Sequence, residues 1–260
     1  MNQPTAFLVT RPGQAGRSLT EALQARGAES LWLPAFELGP APDPTAVTAT
    51  LRCLAEFDLA VFVSPAAVRG AAAALPPRWP ATTRAAVVGH ATAGTLRTHY
   101  AGAAPPVIEP SGRAEAGGSE ALWETLVAQG VAGGQTAPGA VLILRAAHGR
   151  EWLGERLREA GARVETLAVY TRTPCAAPIE ARERLAQWRA SHAIATVLTS
   201  SEAVGVLAQQ LAPDPDLRAA VFSGRALASH DRVAAAARAA GFARVSVAAP
   251  EVESILAMAR

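Results

Sequence analysis

The apolar positions of this chain fall into two kinds of segment that alternate from end to end. Short unbroken runs at Ala6 to Thr10, Ser30 to Leu33, Leu59 to Val63, Val141 to Leu144, Val164 to Tyr170 and Thr196 to Thr199 have the length of buried strands. Between them, Leu19, Ala22 and Leu23 predict a helix over Ser18 to Arg26, and Trp152, Leu153 and Leu157 predict another; Gly27 and Gly161 supply the stops. Pro65 suits the first turn of a helix opening near Ser64, where its missing N–H has no partner to lose. Ser200 or Ser201 is the expected cap of the matching later helix. Strands alternating with helices of this length predict parallel β-sheets covered by helices on both faces.

The pattern is also said twice. Residues 7–38 lie over residues 141–172 without a gap, with Arg11 on Arg145, Leu19 on Leu153, Leu23 on Leu157, Gly27 on Gly161 and Ala28 on Ala162. FVSPAAVRGAAAAL from Phe62 then recurs as LTSSEAVGVLAQQL from Leu198, matching Ser64 to Ser200 and Val68 to Val204. Weaker matches follow in order, AAVVGHATAGTL with RALASHDRVAAAA and the proline loop EPSGRAEAGGSEALWETL with APEVESILAMA. One copy spans about half the chain, far beyond the roughly 20 to 50 residues of solenoid repeats, so a duplicated α/β fold is expected. Leu38 to Thr45 and Thr173 to Ile179 are proline-rich, sit at equivalent points of the repeat and read as connections between domains.

Composition removes several function classes. A net charge of +2, with 24 basic residues dispersed among acids and only 5% aromatic residues, disfavours a nucleic-acid partner. Every apolar run is interrupted before it reaches the roughly 18 residues of a membrane span. The N-terminus has no secretion-signal pattern, and two cysteines make no disulfide framework. A cytoplasmic protein without membrane contact is expected. His90, His99, His148, His192 and His230 share no ligand spacing with each other or with Cys53 and Cys175, so no metal site is expected. No nucleotide-binding glycine motif appears; Gly13 and Gly16 permit a flexible turn and little more. None of Ser64, Ser200 and Ser201 lies in a G-x-S-x-G elbow.

What remains is a set of helix N-termini at the carboxyl ends of parallel strands, after Arg11, Val63, Val88, Arg145, Thr199 and Ser229. In open α/β sheets that edge binds ligands, and its free N–H groups favour anions. Two such edges facing one another would suit a polyanion. Arg11, Arg145, Arg150 and Arg232 lie at or just beyond these turns, where guanidinium groups match either a ligand carboxylate or a neighbouring acid in a salt bridge.

The ordered motifs LVTRP near the start, FVSPAAV from Phe62, VVGHAT from Val87, RAAHGR from Arg145, LAVY from Leu167 and TSSEAV from Thr199 resemble the uroporphyrinogen-III synthase family over the whole chain. One departure is Ala146, where the family often has glycine. The resemblance implies two similar domains, each a parallel β-sheet flanked by helices (Rossmann/flavodoxin-like), joined by a two-stranded linker. Residues 1–36 with 173–260 would form one and 40–168 the other, with linkers near 37–39 and 169–172. It implies a cyclising lyase of tetrapyrrole biosynthesis, closing hydroxymethylbilane to uroporphyrinogen III with inversion of ring D and loss of water, through a spiro intermediate. No cofactor and no metal are implied. Tyr170 would be the general acid at the leaving hydroxyl. Arg11, Ser64, Thr92, Arg145, Arg150, Ser200, Ser201 and Arg232 would bind the substrate's carboxylates and line its site, Ser64 and Thr92 as matches to cleft-lining positions.

A monomer is expected, receiving substrate by transfer from the preceding pathway enzyme. Two other readings compete. A non-catalytic tetrapyrrole or anion sensor on the same scaffold would be expected to carry an added signalling segment, and the chain ends at Arg260 without one. A two-lobed sugar or amino-acid binder would be expected to carry a secretion signal.

Overall fold

The structure, a computed structural model, describes residues 3–101, 103–110, 118–133 and 138–258. The chain forms two compact units, one of Met1–Leu38 with Thr173–Arg260 and the other of Gly39–Arg172.

The first unit holds a parallel sheet built on β1 (Thr5–Val9), β2 (Glu29–Trp32), β9 (Ala193–Leu198), β10 (Arg225–Ala228) and β11 (Arg244–Val247), in the spatial order β2-β1-β9-β10-β11. Alternate residues of its strands go to opposite faces. Ala6, Leu8, Ile194 and Leu198 join a core with Leu185, Trp188, Leu207 and Val221; Phe7, Val9, Ala195 and Val197 join another with Leu19, Leu23 and Ile255. Both faces are therefore buried under helices, as continuous apolar strands require. Each fully buried leucine contributes about 1.5 to 3 kcal/mol of transfer free energy.

The second sheet holds β3 (Phe36–Gly39), along which the chain passes from the first unit into the second, β4 (Leu59–Phe62), β5 (Arg84–Val87), β6 (Val107–Ile108), β7 (Ala140–Ala146) and β8 (Arg163–Pro174), along which it passes back, in the order β3-β8-β7-β4-β5-β6. From β8 to β6 every pairing is parallel. Setting β3 aside, β8-β7-β4-β5-β6 and β2-β1-β9-β10-β11 are the same arrangement, with β7 in the place of β1, β8 of β2 and β4 of β9. These are the elements that the repeat matches. The chain merely enters each sheet at a different point.

The helix after β1, α1 (Gly13–Ala25), starts five residues before the expected Ser18. Gly13 adopts φ +67, and a Cβ on Gly16 would lie 1.8 Å from the Arg11 carbonyl oxygen, so two glycines let the helix begin against the turn with no apolar residue to announce it. Gly27 and Gly161 end their helices at φ +76 and +98, and the next residues, Ala28 and Ala162, donate to the Leu23 and Leu157 carbonyls as left-handed caps do. Strand ends differ from expectation by a few residues; β8 gains most, running on to Pro174. Residues 111–117 of the proline loop lie outside the described residues. Among the described residues no helix is long and apolar enough to cross a membrane.

Candidate functional site

In each sheet the strand order reverses once, between β1 and β9 in the first unit and between β7 and β4 in the second. In open α/β sheets, ligands bind beside such a reversal, at the carboxyl ends of the strands. The expected site residues all lie on these two edges.

In the second unit, Ser64 follows β4 and caps α3 (Pro65–Ala71): its Oγ accepts the Ala67 N–H at 3.0 Å. The same Oγ stands 3.1 Å from the Tyr170 hydroxyl. Tyr170 is 8% exposed, and its direction is set by an irregularity in β8. Arg145 pairs with Ala168 but Ala146 pairs with Tyr170, so Val169 is an extra residue and both it and Tyr170 are buried. Such bulges re-aim side chains beside functional sites. Gly70 makes room: a Cβ there would lie 2.2 Å from the Val169 carbonyl oxygen and 3.4 Å from the Tyr170 Cβ. Thr92, 2% exposed, sits in the first turn of α4 (His90–His99), after β5.

The turn after β7 is built around Arg145. Its side chain is only 8% exposed, and its Nη1 donates to Glu151 Oε1 at 2.5 Å. Gly149 closes over the guanidinium, since a Cβ there would meet Arg145 Nη2 at 2.8 Å and Arg172 Nη2 at 3.5 Å. Arg172 Nη2 in turn donates to the His148 carbonyl. Arg150 is set differently: half-exposed, it pairs with Glu120 of α5 (Ser119–Ala128) at 2.6 Å and lies over the Trp152 ring at 5.5 Å. Ala146, where the family often has glycine, is buried in β7 opposite Tyr170.

In the first unit, the Arg11 carbonyl accepts the Trp32 indole N–H at 2.8 Å, and Arg17 lies over the same ring at 4.7 Å. Thr10 anchors the turn by donating to the Val197 carbonyl at 2.8 Å. Ser200 precedes α8 (Ser201–Gln210), but its side chain makes no capping hydrogen bond. Ser201 Oγ donates to the Arg232 carbonyl at 3.4 Å, in the first turn of α10 (Asp231–Ala239). The capping expected of Ser200 or Ser201 is thus replaced by a tie between the first turns of α8 and α10.

The structure brings Ser64 and Tyr170 together, sets Arg145 beside them on the neighbouring strand, and places Arg11, Ser200, Ser201 and Arg232 on the other unit's edge. Glu151, Arg172 and Gly149 were not anticipated, because spacing within an irregular turn carries no periodic signal. Among the described residues no group of His, Cys, Asp or Glu is gathered as metal ligands. Away from these edges, burial pushes the Tyr100 phenol up to about 12, where its hydroxyl donates to the Pro76 carbonyl. Burial, and then the Glu37 carboxylate, raise the Cys175 thiol.

The chain is 30% identical to the uroporphyrinogen-III synthase of Escherichia coli and 31% identical to that of Salmonella typhimurium, in each case over 94% of both chains. Its fold is similar to that of a uroporphyrinogen III synthase of Thermus thermophilus, with a TM-score of 0.60 at 22% identity over 98% of this chain and 96% of that one. A uroporphyrinogen-III synthetase of Helicobacter pylori superposes with a TM-score of 0.57 at 14% identity, covering 99% and 98% of the two chains. The family model described as uroporphyrinogen-III synthase HemD matches residues 17–257, and the chain belongs to the uroporphyrinogen-III synthase family.

Proposed function

We propose that this chain closes hydroxymethylbilane to uroporphyrinogen III, inverting ring D and releasing water, as a cytoplasmic monomer that receives its substrate from the preceding enzyme of the pathway. The observation that carries the reading is the Tyr170 hydroxyl on Ser64 at a sheet switch point in a chain of this family.

Tyr170 protonates the terminal hydroxyl of the substrate as it leaves, so that water departs and an azafulvene-like cation remains. The substituted carbon of ring D attacks that cation to give a spiro intermediate. Fragmentation and reclosure at the other α-carbon of the ring then release one proton, which restores the phenol. Atoms and charge balance with water as the only by-product, and the steps call for no cofactor. A positioned acid of this kind contributes roughly 10² to 10⁴-fold. Holding the two chain ends so that the spiro route outruns direct closure contributes up to roughly 7 to 11 kcal/mol.

The substrate's eight carboxylates suit edges formed by helix N-termini, whose N–H groups stabilise anions without a lysine-rich surface. Arg11 and Arg232 on one edge, and Arg145 and Arg150 on the other, add cations to that binding, with Ser64, Thr92, Ser200 and Ser201 at the turns. Because the binding is spread over many groups, no single Arg→Ala substitution among the four abolishes activity. The test is to supply hydroxymethylbilane, oxidise the products and separate isomers I and III. Isomer III in excess is expected; isomer I alone would overturn the proposal and favour a non-catalytic binding role.

A further inference from the structure

We propose that Ser64 is a positioning residue that turns the proton of Tyr170 outward, toward the substrate, an inference that rests on the reading of Tyr170 as the general acid. A hydroxyl has one hydrogen and two acceptor sites. Ser64 Oγ spends one acceptor site on the Ala67 N–H at 3.0 Å. Its own hydrogen is then available to another acceptor, and the Tyr170 oxygen stands 3.1 Å away. With Ser64 as donor, the pair forms a chain of one direction, from amide to serine to phenol. Each link polarises the next, which strengthens the phenol as a donor and stabilises the phenolate left after transfer. With Tyr170 as donor, the phenolic proton would instead be spent on Ser64, and the serine hydrogen would have no partner among the contacts of the described residues.

The backbone around the pair fixes this geometry from both sides. Ser64 is held at φ −169 as the N-cap of α3, so its Oγ position follows from the start of the helix. Tyr170 is held by the extra residue Val169 and by the close approach of Gly70 to the Val169 carbonyl. Ser64 therefore affects the rate through Tyr170, whatever it adds to binding from its place at the turn.

Four variants test this on hydroxymethylbilane turnover, after thermal unfolding establishes that each is folded: Tyr170→Phe, Ser64→Ala, Ser64→Thr and the double variant Ser64→Ala with Tyr170→Phe. Ser64→Ala should lower kcat about tenfold, the worth of one directed hydrogen bond, with KM within about twofold. Ser64→Thr keeps both the acceptor and the donor and should restore most of the rate. In the Tyr170→Phe background, Ser64→Ala should change kcat by less than about twofold, because no phenol remains to be directed. A tenfold loss that persists in that background overturns the proposal, as does a rise in KM with kcat unchanged. An unchanged rate for Tyr170→Phe alone removes the general acid itself, a result read before Ser64 is substituted and so separable from the others.

Discussion

Equivalent places in the two units are finished in opposite ways. In the gapless overlay of the repeat, Tyr170 falls on Phe36 and Ala168 on Pro34; in the second repeated segment, Ser64 falls on Ser200 and Gly70 on Val206. In the first unit Phe36 is buried in an apolar cluster with Ala35, Ala203 and Val206, and Ser200 makes no capping bond with its side chain. In the second unit the ring carries a hydroxyl on Ser64, and the place of Val206 is taken by a glycine that lets α3 approach β8. Pro34 deepens the difference, because it lacks an N–H and interrupts the ladder; the strand that is continuous in β8 is split there into β2 and β3. Duplication thus supplied two edges of the same topology, and only the second was given a phenol at the switch point. The two edges thus differ in the groups they present, although the scaffold is nearly symmetric.

Removing the phenol should have the largest effect. Tyr170→Phe makes the second edge resemble the first and should lower isomer III formation by roughly 10² to 10⁴-fold. Loss of one hydroxyl, with the ring retained, should lower the stability of the fold by only about 1 kcal/mol. Steady-state turnover set beside a urea unfolding midpoint separates the two effects. A loss of stability large enough to account for the loss of turnover would make Tyr170 a packing residue, as Phe36 is.

The next contrast lies in the turns after β1 and β7. Gly16 allows α1 to begin at Gly13, whereas its equivalent in the overlay is Arg150, and α6 (Trp152–Glu159) begins seven residues after Arg145. A side chain at Gly16 would collide with the Arg11 carbonyl and crowd the Trp32 indole nitrogen, 2.6 Å from the added Cβ. Gly16→Val should therefore cost about 3 kcal/mol. Arg150→Ala, which removes an exposed ion pair, should change stability by less than about 0.5 kcal/mol. Similar costs at the two positions would mean that the turns are not built differently.

This pair of turns also shows what the sequence could reveal. Strand–helix alternation, the helix stops at Gly27 and Gly161, and the equivalence of β1 with β7 and β4 with β9 are all written in apolar spacing and in repeated residues, because sheet cores are selected for those properties. The early start of α1 was missed because it depends on a missing Cβ, to which hydrophobic periodicity is blind. Ser64 and Tyr170 both stand in motifs legible in the sequence, but the bond between them joins positions 106 residues apart and depends on a one-residue bulge that no local pattern marks. Glu151 was missed for a related reason: it meets Arg145 across an irregular turn six residues long.

That ion pair is the next way to sharpen the comparison. Arg145 is buried while Glu151 is half-exposed, so Glu151→Ala leaves a desolvated guanidinium with one fewer partner. The cost should be about 1 to 2 kcal/mol, below that of a fully buried pair because water reaches the carboxylate side. A double-mutant cycle with Arg145→Met measures the coupling, and a coupling near zero would show that the loop around Gly149 holds Arg145 without Glu151.

No effect on turnover should come from the reverse exchange, Phe36→Tyr, which offers the first edge the hydroxyl it lacks. Ser200 stands where Ser64 does, but Val206 occupies the place of Gly70 and Phe36 is packed against it, so the ring has no freedom to seat its new oxygen as Tyr170 does. A hydroxyl added at the margin of an apolar cluster that is 6% exposed at Phe36 should cost about 1 kcal/mol. It should leave the turnover of the parent chain unchanged and should restore nothing to Tyr170→Phe. Recovery of isomer III formation in the chain carrying both substitutions would show that the two edges are chemically interchangeable, and the asymmetry drawn from Gly70, Val169 and Pro34 would then have no bearing on catalysis.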